Sequence, residues 1–292
     1  MNGFTIKDVE NLSGIKAHTI RIWEQRYGFL KPQRTGTNIR YYSNEELRVV
    51  LNISLLNKFG YKISHINKMD QEEIREKILS LNQAEAQQER VIHDLIHTMV
   101  ELEIEGFERT LDSYISRHGV ERAITRIIFP FLERIGILWQ TGHINPAQEH
   151  IVSNIIRQKL IRGIEGTRSL VTLDTSFLLC LPEGEHHELS LLYVYFLLKS
   201  RGAQVIYLGA DLPVKDLEYV VRMKKPDYVF MHLTSPSRTF HMDKFLLNLQ
   251  TRMKDQTFVI SGPLTSMYKK EIPSNVRFKY SLAEVMEFLH AL

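Results

Sequence analysis

The chain has a single cysteine, Cys180, among 292 residues. An internal disulfide is therefore excluded, and a reducing compartment fits. Cys180 lies inside an apolar run, where a lone thiol reads as core rather than as ligand or nucleophile. No uncharged apolar window of about 18 residues occurs, so no spanning helix is expected. The start, MNGFTIKDVEN, lacks the basic-then-apolar pattern of a secretory signal. A soluble, cytoplasmic protein with no membrane contact is the expectation. Net charge is scarce too, at +3, and is too small to assign a partner. What is plentiful is apolar residue, 43%, enough for ordinary globular cores in two or three domains.

The charge is unevenly spread. Residues 1–72 hold 11 Lys/Arg against 7 Asp/Glu, which points the first quarter of the chain toward a polyanion. In FTIKDVENLSGIKAHTIRIWEQRY, residues 4–27, Thr5 is a suitable N-cap for a helix over Ile6 to Leu12. Ser13-Gly14 turns the chain, and Lys16 to Arg26 form a second helix with Ile15, Ile20 and Trp23 inward. Two short helices around a glycine turn make a helix-turn-helix whose second helix can enter a major groove. Lys16, His18, Thr19, Arg21 and Arg26 then face outward as donors to phosphates or base edges. Residues 28–42 predict a β-hairpin wing turning at Thr35-Gly36-Thr37-Asn38, after which Ser43 and Glu46 form a capping box for the next helix.

Residues 71–92 are rich in Glu, Gln and Ala and free of Gly and Pro, as an exposed helical connector would be. Beyond them, apolar residues at three- and four-residue spacing predict helices near 86–106, 107–117, 119–139 and 146–164, a four-helix bundle. The last third alternates strand and helix. Apolar runs at Leu170 to Leu173, Phe177 to Leu181, Val205 to Leu208, Tyr228 to Leu233 and Phe258 to Ser261 are separated by helical stretches, Leu189 to Lys199 among them. That is a doubly wound parallel sheet of Rossmann or flavodoxin type, whose ligands gather at the carboxyl ends of the strands. His187 lies at that edge with an imidazole nitrogen suited to a borderline metal, and Thr234, Ser235, Ser261 and Gly262 lie at further strand ends. The organisation read is multidomain: 1–72 an all-α winged helix-turn-helix, 73–88 a linker, 89–167 a four-helix bundle, 168–292 the α/β domain.

Three sets of residues carry a family resemblance. Arg-x-Trp-Glu-x-Arg-Tyr-Gly at 21–28 and Arg-Tyr-Tyr-Ser at 40–43 resemble the MerR-type winged helix-turn-helix. Glu-x-His-x-x-Ser at 185–190, followed by LGADLP and Ser261-Gly262, resembles the cobalamin-binding domain. Trp139 with Glu149-His150 after nine intervening residues resembles the cobalamin cap of MerR-type light-responsive repressors. The resemblance implies DNA contacts from Arg21 and Arg40, with Tyr41 or Tyr42 buttressing the wing. It implies adenosylcobalamin with His187 as lower cobalt ligand, and Trp139, Glu149 and His150 over the upper face. It further implies a double-stranded operator, self-association to a dimer or tetramer, and a regulator, expected to repress, that is not an enzyme.

The sequence departs from that pattern at Ser190, where the family carries glycine, and at Ser261-Gly262, where it carries Gly-Gly. Gln140 stands where a second cobalt-ligating histidine is found in the photoreceptors. The alternative is a regulator whose effector domain has lost cobalamin and works through protein contacts. A cobalamin enzyme accessory is a third reading, but no barrel of about 250 residues accompanies the module.

Overall fold

In the computed structural model, which describes residues 3–36, 38–81, 83–140, 144–237 and 239–292 and only the backbone of 137–140, a short strand β1 (Phe4–Thr5) leads into α1 (Ile6–Ser13). Thr5 and Asp8 close a capping box at its start, and Gly14 ends it at φ +72°. Lys16 is the N-cap of α2 (Ala17–Tyr27), which Gly28 stops in the left-handed region. The wing is β2 (Gln33–Arg34) and β3 (Arg40–Tyr42), and β1 joins it to give an antiparallel sheet of order β1-β3-β2. The first domain is helical, with the small sheet that a wing supplies. Ser43 and Glu46 form the expected capping box on α3 (Asn44–Lys58).

Next come α4 (Ile63–Ile66) and α5 (Gln71–Ser80). The expectation of an exposed connector at 73–88 needs correction, because Ile78, Leu81 and Ala86 are buried in one cluster with Trp23, Ile53 and Leu56. The few apolar residues of this polar stretch fall on one edge, and that edge is what packs. The bundle is α6 (Ala84–Val100), α7 (Ile104–His118), a long third helix and α10 (Pro146–Gly166). The third helix runs as α8 (Val120–Ala123), a π-helical stretch Ile124–Ile128, and α9 (Phe129–Gln140). Pro130 withholds the N–H that the Arg126 carbonyl would take in a regular helix, at the place where the turn widens.

The chain divides into two units, Met1–Ile156 and Arg157–Leu292. The second is built on β4 (Ser176–Pro182), α11 (Leu189–Ser200), β5 (Gln204–Leu212), α12 (Val214–Lys224), β6 (Tyr228–His232), α13 (Met242–Arg252), β7 (Thr257–Ser261), α14 (Pro263–Met267), β8 (Val276–Lys279) and α15 (Leu282–His290). All strand pairs are parallel, in the order β5-β4-β6-β7-β8. Leu178, Cys180, Val229, Met231, Phe258 and Ile260 pack on Leu217, Phe245, Leu246 and Leu249, while Phe177 and Tyr228 meet Phe288 of α15 edge-on. A strand covered on both faces reads as an unbroken apolar run, which Phe177 to Leu181 is.

Leu170 to Leu173 forms no strand. Leu170 and Val171 are exposed, and the segment lies over Gly202 (φ +83°), where an added Cβ would meet the Val171 carbonyl oxygen at 1.8 Å. The run is taken up by that backbone crossing and pairs with no strand. The connection from β5 to β6 reverses the winding: β5 lies on one side of β4, and β6 through β8 on the other. The carboxyl ends of β4 and β6 therefore flank the topological switch point, where such sheets bind ligands.

Candidate functional site

Glu185 occupies that switch point. Its side chain is wholly buried, and its two oxygens divide their work. Oε2 accepts the backbone N–H groups of Thr234 and Ser235, each at 2.8 Å. Oε1 accepts the backbone N–H of His187 at 3.0 Å and lies 2.6 Å from its Nδ1. Burial alone would raise the carboxyl, but the hydrogen bonds from the His187 side chain and backbone and from Ser235 and Thr234 outweigh it and hold it at about 2. So short a contact to a carboxylate places a proton between Nδ1 and Oε1, the carboxylate–histidine arrangement also found behind metal ligands. The His187 side chain is half exposed.

The turn carrying this pair is clamped from behind. Asp211, at φ +60°, accepts the Gly184 N–H at 2.8 Å and donates its own N–H to the Glu185 carbonyl. Glu188 receives the Tyr207 hydroxyl at 2.8 Å and pairs with Arg157 at 3.1 Å. Sequence reasoning missed both partners, and also His232. That imidazole ends β6, is lowered to about 4 by burial, and lies with Nδ1 2.9 Å from the Ser261 hydroxyl. The hydroxyl of Ser261 is thereby engaged inside the sheet with His232 and the Met231 carbonyl. Gly262, at φ +105°, passes so close to Leu233 that a Cβ would sit 2.3 Å from its carbonyl oxygen. Its glycine is required by the backbone itself. Ser190 is the second residue of α11 and is partly exposed.

In the bundle, Glu149 and His150 adjoin in α10, with His150 Nδ1 3.2 Å from one Glu149 oxygen and the Ser153 hydroxyl 2.6 Å from the other. His150 is exposed. The side chains of Trp139 and Gln140, and His143 altogether, lie outside the described residues. In the helix-turn-helix, His18, Arg21 and Arg26 are exposed on α2, Thr19 is partly so, and Lys16 reaches Glu10 at 3.3 Å. Arg40 is held across the domain: its Nε lies 3.1 and 3.0 Å from the two oxygens of Glu24 on α2. Tyr42 is buried with its hydroxyl toward the same carboxylate and is pushed up to about 12, by burial first and Glu24 next. Tyr42 is thus the buttress of the wing, while Tyr41 is partly exposed and donates to Gln33.

The profile of the MerR HTH family regulatory proteins matches residues 4–73, and that of the B12 binding domain matches residues 91–162, the bundle. The chain is 33% identical over 227 residues to the HTH-type transcriptional repressor CarA of Myxococcus xanthus, covering 77% of this chain and 74% of CarA. The chain belongs to this family of MerR-type regulators with a B12 binding domain. The HTH-type transcriptional repressor CarH of the same organism is 27% identical over 232 residues, covering 77% of each chain. Among solved structures, the monomethylamine corrinoid protein of Methanosarcina barkeri superposes with a TM-score of 0.53 at 14% identity over 70% of this chain and all of that one, a likeness of fold.

The chain is therefore a DNA-binding transcriptional regulator, and the residues at the switch point fit a corrinoid. Among the described residues no group of three or more His, Cys, Asp or Glu is placed to enclose a metal ion. A corrinoid would be held through the imidazole of His187, which Glu185 orients. Among the described residues no helix is long and apolar enough to cross a membrane.

Proposed function

We propose that this regulator is governed by adenosylcobalamin. The observation that carries the reading is the Glu185–His187 pair, a buried carboxylate 2.6 Å from the Nδ1 of a half-exposed imidazole at the sheet's switch point. His187 would hold the cobalt through its imidazole, with Glu185 fixing the ring and strengthening it as a donor. Thr234, Ser235, Ser261, Gly262 and Ser190 border the path of the nucleotide tail. Because the Ser261 hydroxyl is already satisfied within the sheet, it takes less from that path than a free side chain would.

Trp139, Glu149 and His150 cover the upper ligand, by resemblance to the light-responsive repressors. Bound adenosylcobalamin supplies a photolabile cobalt–carbon bond. The covering residues register whether an upper group is present, and self-association to a dimer or tetramer follows, since a ligand acts only through its differential affinity for two states. Assembly presents several helix-turn-helix domains to one operator, which raises affinity without new contacts and represses transcription. Lys16, His18, Thr19, Arg21, Arg26, Arg40 and Tyr41 make up the DNA-facing set.

The test is the visible spectrum and the oligomeric state of the purified protein after incubation with adenosylcobalamin in darkness and then in light. A cobalt spectrum with a light-dependent change of assembly is the expected result. Absence of a bound spectrum defeats the cofactor claim, and a bound spectrum with unchanged assembly defeats the light switch.

A further inference from the structure

A cavity of about 580 Å³ opens between α3, α5 and α6, in the size range of sites that hold small organic ligands. Its floor is apolar: Leu55 and Ile78, both buried, belong to the cluster that seats Trp23 of α2. Its wall carries three guanidinium groups, Arg48, Arg75 and Arg90. Arg48 pairs with Glu45 at 3.2 Å, Arg90 acts on Asp94 across one turn of α6, and Arg75 is exposed. Glu72 and Asp94 stand on the same wall, so an incoming head group is received on the Arg75 and Arg90 side. His93 lines the cavity as well. It is 7% exposed, its Nε2 lies 3.7 Å from Glu89, and its Nδ1 is buried with no hydrogen-bond partner. Such an orphaned polar atom costs free energy unless something meets it.

An apolar floor and two guanidiniums held in no close ion pair, suited to a planar or tetrahedral anion, together describe an amphipathic guest. We propose that this cavity is a second small-molecule site, separate from the cobalamin site, and that it takes a compact organic anion with an aromatic or aliphatic body. The head group meets Arg75 and Arg90, and the body lies on Leu55 and Ile78.

The test is a fluorescence titration of the full chain with anilinonaphthalene sulfonate, a probe with an aromatic body, a sulfonate and an N–H. Saturable one-to-one binding is expected, and the double variant R75E/R90E, with Arg75 exposed and Arg90 partly so, is expected to bind at least tenfold more weakly with an unchanged thermal midpoint. H187A is expected to bind the probe as the parent does, so failure of the cobalamin reading leaves this result standing. Unchanged affinity in R75E/R90E overturns the proposal, as does non-saturating binding, or loss of binding in H187A.

Discussion

Nδ1 of His187 lies 2.6 Å from Oε1 of Glu185, and the other oxygen of that carboxylate is anchored by two backbone N–H groups beyond β6. One side chain thereby fixes the orientation of the imidazole and ties the ends of two neighbouring strands together. Glu185→Gln keeps the size but loses the charge and part of the acceptor set. Cobalamin affinity is expected to fall by about 10–100-fold, the usual effect of removing a partner behind a metal ligand. Titration of the visible spectrum measures it, and an affinity within twofold of the parent would contradict the assigned role.

Gly262→Ala is expected to destabilise the second unit. The residue holds φ +105°, and the new methyl would fall 2.3 Å from the Leu233 carbonyl oxygen. Positive φ and backbone collision add, so a loss of at least about 2 kcal/mol follows. Urea unfolding of the full chain followed by circular dichroism shows it. Ser261→Gly, by contrast, removes a hydroxyl from His232 and is expected to change stability by only about 1 kcal/mol.

On the DNA side, Arg21 and Arg40 are expected to part company. Arg21 is exposed on α2, so Arg21→Ala should weaken binding to a duplex selected by the parent protein and leave the thermal midpoint where it was. Arg40→Ala removes the closer of the two cations beside Glu24, leaving Arg34 at 3.9 Å, and the cation beside Tyr42, so it should lower both affinity and midpoint. Fluorescence anisotropy at several salt concentrations, with thermal melts alongside, distinguishes the two patterns. Removing one phosphate-binding cation flattens the salt slope by about one.

Acid is expected to loosen the front of the chain in a defined window. His93 is held at about 4 by burial first and by Arg134 next, against about 6.5 in an unfolded chain. The unfolded state binds the extra proton between those values. The stabilisation from the neutral ring is complete above pH 6.5 and is lost as pH falls toward 4, about 3 kcal/mol in all. Melting curves from pH 7 to 4 should show that slope, and His93→Leu should flatten it.

Much of this architecture was legible from residues alone. The capping signals at Thr5 and Ser43, the glycine stops at Gly14 and Gly28, and the run from Phe177 to Leu181 each state a local rule that nothing overrides. What escaped were arrangements made by partners distant in sequence. Leu170 to Leu173 reads as a strand but lies over Gly202, and Ile78 and Ala86 look incidental in a polar stretch until Trp23 packs against them. In the site, the motif pointed to His187 and Glu185, and Asp211 lies within the LGADLP run, while Tyr207 and His232 come from other strands and carry no spacing signal. The engagement of Arg40 by Glu24 is likewise made across 16 residues.

Glu89 draws Lys58 of α3 and Arg134 of α9 onto one carboxylate, and α1 packs on α9 besides. Within the first unit, the helices α1 and α3 of the helix-turn-helix domain are tied to the bundle helices α6 and α9. A displacement of α9 would therefore be felt by α1 and α3, which belong to the helix-turn-helix domain, through a shared carboxylate and a helix contact.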